Sequence, residues 1–302
     1  MPEHDPAAAV QRQTVLGAVF LPQLPPERLR SVAMAADEAG LEELWLWEDC
    51  FRESGIASAA AALAWTEQVR VGVGLLPVPL RNVALTAMEA ATLHRLFPGR
   101  AILGVGHGVQ SWMGQVGARV QSPMTLLREH VLALRSLLDG EAVSTQGRYV
   151  TLDQVALDWP PSSRPPLLAG AEGPRSLRLC GEVADGTILT AETSPQGVRD
   201  ARVLVDAGRA EAGRTDRHPL TVYLLAATGP GAAERLDRAK ADAGLDPAQE
   251  LGVAGDAEQV AEAVRHWAAA GADTVVLQPT QEEPDHEGFV RFVAEQVRPL
   301  VP

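Results

Sequence analysis

Between Val69 and Gly108 the chain reads VRVGVGLLPVPLRNVALTAMEAATLHRLFPGRAILGVGHG, and this stretch restricts the fold more than any other. Val69 to Leu76 is a short apolar run interrupted by Gly72 and Gly74, which leave room for a second backbone or a flat ligand. Val83, Ala87, Ala90, Ala91 and Leu93 then recur at helical spacing, and Pro98-Gly99 stops the helix. Ala101 to Val105 is a second apolar run, breaking into Gly104-Val105-Gly106-His107-Gly108. Strand, crossover helix and strand make a βαβ unit with parallel strands. In parallel α/β folds, ligands sit at the carboxyl ends of the strands.

The rest of the chain repeats this alternation. Apolar runs at Thr14–Leu21, Leu41–Trp47, Pro166–Gly170, Gly186–Thr190, Leu220–Thr228 and Thr274–Gln278 read as strands, giving about eight in all. Helical patterns stand between them, including Ile56–Trp65, Thr125–Leu138, Gly173–Val183, Pro195–Ala212, Ala232–Ala243, Ala257–Ala270 and His286–Val297. This is the pattern of a (β/α)8 barrel, with a doubly wound sheet as the alternative, because periodicity does not reveal closure. Two insertions interrupt it. Val109–Met124 after the fourth strand reads as a long loop of the kind that forms a lid or a site, and Gly140–Asp158 before the fifth reads as a hairpin turning at Gln146-Gly147. Residues 1–13 read as a disordered tail, and residues 14–302 as one domain.

Composition excludes several classes of function. A formal net charge of −13 disfavours nucleic acid or an anionic membrane as partner. No apolar run approaches the ~20 residues needed to span a bilayer, and the amino terminus has no signal-peptide pattern, so a cytoplasmic location is expected. Cys50 and Cys180 are the only cysteines. With His94, His130, His266 and His286 in helical segments, they offer no metal-ligand spacing, and no metal site is expected.

Two glycine clusters invite a functional reading. Gly104–Gly108 has no third glycine in the right place and no immediately following helix, so it is not a dinucleotide fingerprint. Gly170-Ala171-Glu172-Gly173-Pro174 lies between a strand and a helix whose first amides are free, a geometry that binds phosphate, with Arg175 next to it. An ordinary βα turn would look the same.

The order of these motifs resembles the bacterial luciferase-like flavin-dependent oxidoreductases, particularly the branch using the deazaflavin coenzyme F420. The segments carrying the resemblance are 35–51, 66–108, 128–141, 165–190 and 255–279. It implies a luciferase-like TIM barrel with the cofactor at the carboxyl-terminal face. It also implies that Asp49 meets the deazaflavin ring, that Gly74-Leu75 forms a bulge with a non-prolyl cis peptide behind the ring, and that Leu75 and Leu76 press on one of its faces. Gly106, His107 and Gly108, with Gly170, Ala171, Glu172 and Gly173, match the loops that hold the cofactor chain and its phosphate.

The departures from the family pattern matter as well. Cys50 stands where several relatives have a catalytic histidine. Val19 and Val109 replace acids used by particular reductase and sugar-phosphate dehydrogenase relatives, which argues against those substrates. The implied function is an F420-dependent oxidoreductase acting on a small organic molecule. His107 is the first candidate for proton transfer and Glu48 the reserve, while Trp47 and Trp112 are candidate pocket walls. The alternatives are an FMN-dependent monooxygenase using O2 and a partner reductase, and a non-catalytic flavin- or deazaflavin-binding protein. A homodimer is left open.

Overall fold

The computed structural model describes residues 13–246 and 249–302. Residues 1–12 of the expected tail lie outside the described residues. The strands are β1 (Val15–Val19), β2 (Glu43–Leu46), β3 (Arg70–Pro77), β4 (Ala101–Gly106), β5 (Val143–Gln146), β6 (Thr151–Val155), β7 (Leu167–Gly170), β8 (Gly186–Leu189), β9 (Leu220–Ala227), β10 (Val253–Ala254) and β11 (Thr274–Pro279). The helices are α1 (Leu29–Glu38), α2 (Gly55–Trp65), α3 (Val83–Leu96), α4 (Gln110–Gln115), α5 (Pro123–Leu138), α6 (Pro174–Val183), α7 (Pro195–Glu211), α8 (Ala232–Asp242), α9 (Ala257–Ala269) and α10 (His286–Phe292).

Parallel pairing runs β1-β2-β3-β4-β7-β8-β9-β11 and returns from β11 to β1, so eight strands close into a barrel with helices between them. Closure excludes the doubly wound alternative. The short β10 adds to β9 at the rim, and its two residues carried no readable pattern. The insertion before β7 is the antiparallel β5–β6 hairpin. The stretch expected as one long loop after β4 instead holds α4, a helix too short for periodicity to reveal.

Alternation along the strands separates two cores. Leu16, Ala18 and Phe20 of the β1 segment and Leu44 and Leu46 of β2 pack outward against the helices. Val19, Leu21, Trp45, Leu168, Ile188, Tyr223 and Val276 fill the barrel interior. The fully buried Trp45 is the largest interior side chain, and Gly72 and Gly17 leave it room. A Cβ on Gly72 would fall 2.6 Å from the indole, and one on Gly17 3.0 Å. The room expected at Gly72 for a ligand is therefore taken by Trp45. At the floor of the barrel the indole Nε1 donates to Glu43 Oε2 at 2.8 Å, and Arg70 reaches Glu43 Oε1 at 2.6 Å.

Candidate active site

A cavity of about 690 Å³ opens at the carboxyl ends of the barrel strands. Its wall is assembled from the segments that leave each strand: Trp47-Glu48-Asp49 after β2, Gly74-Leu75 within β3, His107–Gln110 after β4, Gly170–Gly173 after β7, Thr190–Glu192 after β8, and Gln278 of β11. Trp112 of α4 and Ser176 of α6 complete the rim.

The floor is built around Leu75. Pairing of β3 with β4 shifts between Val73 and Leu76, so Gly74 and Leu75 bulge out of the ladder. The Gly74–Leu75 peptide is cis. The Leu75 side chain rests against two backbones: a Cβ on Gly106 would fall 2.5 Å from Leu75 Cδ2, and one on Gly170 2.2 Å. Gly106 does not line the cavity. Its role is to seat Leu75, which corrects the expectation that it meets the cofactor chain. Leu76 needs correcting too. It points to the other side of the strand, 1% exposed, among Thr86, Ala90, His94 and Leu134 between the barrel and α3 and α5. The bulge breaks the alternation of the strand, so Leu75 follows Gly74 into the cavity and Leu76 turns outward with Val71 and Val73.

Glu48 lines the wall, yet its carboxylate is already engaged. Oε2 accepts from Arg81 at 2.5 Å and from the Gly55 amide at the start of α2 at 2.9 Å. Arg81 also reaches Glu89 of α3 at 3.4 Å. Glu48 thus ties β2 to α2 and α3, and the geometry argues against the reserve proton-carrier role. Asp49 makes no ion pair among the described residues. Burial raises its carboxyl pKa, and Arg52 only partly offsets that. Cys50 is not part of the cavity wall. Burial, then the Glu48 and Asp49 carboxylates, raise its thiol pKa.

His107 follows the last residue of β4, and its Nε2 lies 3.2 Å from Ser176 Oγ. Burial lowers its pKa below the ordinary histidine value, with the backbone of Pro123 pulling the other way. Burial thus favours the neutral ring, which has one nitrogen free of a proton. Gly108 has φ +66° and packs against Pro77 and Met113, a position that suits glycine doubly.

On the β7 side, Gly173 is the N-cap of α6, where no side chain caps the helix. A Cβ there would meet nothing within 4 Å. Pro174 carries no N–H, which leaves the Arg175 and Ser176 amides as the first free donors. The Arg175 side chain is exposed and lies outside the wall. No lysine or arginine is among the lining residues, whereas Glu172 and Glu192 stand exposed on the rim without an ion-pair partner among the described residues. An anionic group here has backbone amides to meet it and no cation.

Tyr223 carries no site signal in the sequence, because β9 reads there as an unbroken apolar strand. The side chain lines the cavity, only 5% exposed, with its ring edge-on to Trp45 and Trp47 at centroid distances of 6.0 and 5.4 Å. Among the described residues, no group of three or more His, Cys, Asp or Glu could hold a metal ion, and no helix is long and apolar enough to cross a membrane.

Comparison with known proteins agrees with this architecture. A family model described as luciferase-like monooxygenase matches residues 7–250. The chain is 31% identical over 199 residues to the 5,10-methylenetetrahydromethanopterin reductase of Methanolobus tindarius, covering 66% of this chain and 60% of that protein. It is 31% identical over 186 residues to the F420-dependent glucose-6-phosphate dehydrogenase of Nakamurella multipartita, covering 57% and 55%. The match thus spans about three fifths of the length of these curated relatives. The fold superposes on an F420-dependent secondary alcohol dehydrogenase in complex with an F420–acetone adduct, with a TM-score of 0.85 at 22% identity, over 96% of this chain and 99% of that one. At that identity the likeness is one of fold.

Proposed function

The chain belongs to the luciferase-like monooxygenase family, and from that premise we propose that it is an oxidoreductase using coenzyme F420 to move a hydride to or from a small organic substrate. One observation carries the choice of cofactor: the β3 bulge presents Leu75 as an apolar cavity floor, seated on Gly106 and Gly170. The relative from Nakamurella multipartita and the superposed dehydrogenase are F420-dependent by name, which supports the reading.

The cavity suits a flat ring joined to a phosphate-bearing chain. Leu75 would support one ring face, and Asp49 would meet a polar ring edge. The Gly170–Gly173 turn with the free amides of α6 would receive the phosphate, since aligned helix amides carry partial positive charge. The cofactor, when bound, supplies or accepts the hydride. His107, its neutral form favoured by burial and its ring oriented by Ser176, accepts or returns the substrate proton. Trp47, Trp112 and Tyr223 exclude water around the substrate.

The lining also restricts the substrate. With Asp49, Glu172 and Glu192 unpaired and no lysine or arginine present, an uncharged or cationic molecule is accommodated better than an anionic one. Val19 lies in the closed barrel core and Val109 on the cavity wall, so neither position offers an acid. A cytoplasmic site of action and a homodimer stand with this proposal. For the homodimer the motive is the outward face of α3 and α5, which leaves Leu85, Met88 and Leu132 exposed, and light scattering at micromolar concentration tests it.

The catalytic reading is tested by anaerobic turnover of F420 against a panel of small alcohols and carbonyl compounds. F420-dependent turnover of at least one member supports it. Oxygen uptake with FMN and a reductase, without F420 turnover, transfers the protein to the monooxygenases. Binding without turnover in either assay leaves a cofactor-binding protein.

A further inference from the structure

The cavity floor has an unusual means of support. At the bulge, β3 loses its ladder with both neighbours: pairing with β2 ends at Val73, and pairing with β4 resumes only at Leu76. Gly74 and Leu75 therefore have no Cα partner in either adjacent strand. A backbone carbonyl set free in the barrel interior needs another donor. For Gly74 that donor comes from the far side of the barrel. In the closed order β1-β2-β3-β4-β7-β8-β9-β11, β9 is diametrically opposite β3. Tyr223 of β9 reaches across the interior and donates its hydroxyl to the Gly74 carbonyl at 3.1 Å.

Three further observations show that this contact is built into the fold. A Cβ on Gly74 would lie 2.2 Å from the Tyr223 hydroxyl oxygen, so the approach requires glycine. The phenol ring stands edge-on to Trp45 and Trp47, at interplanar angles of 89° and 80°, which hold the ring in place beneath Gly74. Burial raises the phenol pKa, with the Trp47 indole pulling the other way and the Glu43 and Asp49 carboxylates adding to the rise, so the group is a neutral donor at pH 7.

We propose that Tyr223 is a positioning residue for the cavity floor: its hydroxyl fixes the Gly74 carbonyl, and thereby fixes where Leu75 presents its side chain to the bound ring. The side chain of Leu75 is seated by glycines of β4 and β7, and its backbone by a tyrosine of β9, so the floor is held from three other strands at once. Removing the hydroxyl releases the backbone while leaving the glycine seat intact. Looseness of this kind weakens binding by allowing conformations that do not support the ring.

The affinity part of this inference rests on the F420 reading; the positional part does not. The full chain, labelled with ¹³C in its leucine methyl groups and free of cofactor, is compared with Tyr223→Phe, which keeps the ring against the two tryptophans. The Leu75 methyl resonances are expected to shift or broaden, while those of Leu76, which face the other side of β3, stay in place. F420 affinity is then measured by fluorescence titration in wild type, Tyr223→Phe, Leu75→Ala and the double variant. Each single change is expected to weaken binding about tenfold. Because Tyr223 acts through Leu75, the double variant should be no more than about threefold weaker than Leu75→Ala alone.

Unmoved Leu75 methyls overturn the proposal. So do single effects that multiply to about 100-fold, which would mean that the hydroxyl acts independently of Leu75. A Tyr223→Phe chain that fails to fold also overturns it, by assigning the hydroxyl to global stability. If wild type has no affinity for F420, the cofactor reading fails by itself, and the methyl comparison still decides the positioning role.

Discussion

Gly170→Ala sets a methyl group against the seat of Leu75, and its effect follows from the geometry. The new Cβ would lie 2.2 Å from Leu75 Cδ2 and 3.6 Å from its Cγ. Carbon atoms in contact sit about 3.5–4.0 Å apart, so Cδ2 must retreat by roughly 1.5 Å while the rest of the side chain stays in place. The Gly106 backbone limits that retreat, since a Cβ there would lie 2.5 Å from the same methyl. Overpacking of this kind costs about 1–3 kcal/mol, and replacing glycine in a strand returns about 0.5–1 kcal/mol. The expected net loss is about 1 kcal/mol, within a range of about 0–2.5 kcal/mol, read as a lower urea midpoint at an unchanged slope. Shortening the opposing side chain should undo the harm: in the Leu75→Ala background, Gly170→Ala should cost at least about 1 kcal/mol less than in wild type. Strict additivity in the pair would refute the claim that Gly170 is a seat for Leu75.

Three other outcomes are expected. His130 and His218 are buried, with pKa values lowered to about 4 by desolvation and secondarily by nearby arginines. The fold holds their neutral form, so their stabilisation is complete above pH 6.5 and is lost as pH falls towards 4, at most about 3 kcal/mol each. Urea midpoints measured between pH 7 and 4 should fall, and fall less in His218→Gln; an identical pH profile would count against this. A Cβ at Gly173 meets no atom within 4 Å, so the backbone accepts a side chain there and Gly173→Asp places a negative charge beside the α6 amides. It should weaken binding of a phosphate-bearing cofactor about tenfold without lowering stability, and unchanged affinity would remove the α6 amides from the site. Cys50→Ala should keep most turnover at saturating cofactor, because its thiol is held protonated away from the cavity wall, whereas His107→Ala should lose about 10²-fold or more. The reverse pattern would show the proton role to be misassigned.

The sequence made the barrel legible because closure follows from a repeated unit: apolar runs near strand length, helical periodicity between them, and glycine or proline at the joints. The elements it hid are short, with α4 and β10 spanning six and two residues. In the site, what could be read was which loops assemble at the strand ends. What could not be read was the partner of each side chain. Glu48 looks like a free acid until Arg81, 33 residues away, is brought against it. Gly72 and Gly106 announce room, but only the folded chain shows that Trp45 and Leu75 fill it. Strand alternation alone would turn Leu75 outward with Val71 and Val73 and Leu76 inward; the bulge at Gly74-Leu75 reverses the pair, and nothing local in the sequence announces it. Tyr223 lies 149 residues from Gly74, and no local pattern marks a contact that crosses the barrel.

The central claim is that this cavity takes F420 in preference to FMN. It is tested most directly by titrating the purified, cofactor-free chain with each compound and following fluorescence, with Gly173→Asp as the control for binding at the α6 end. The account predicts saturable F420 binding at least about tenfold tighter than FMN binding, and weakened in the control. Tighter binding of FMN, or F420 binding indifferent to Gly173→Asp, would contradict it.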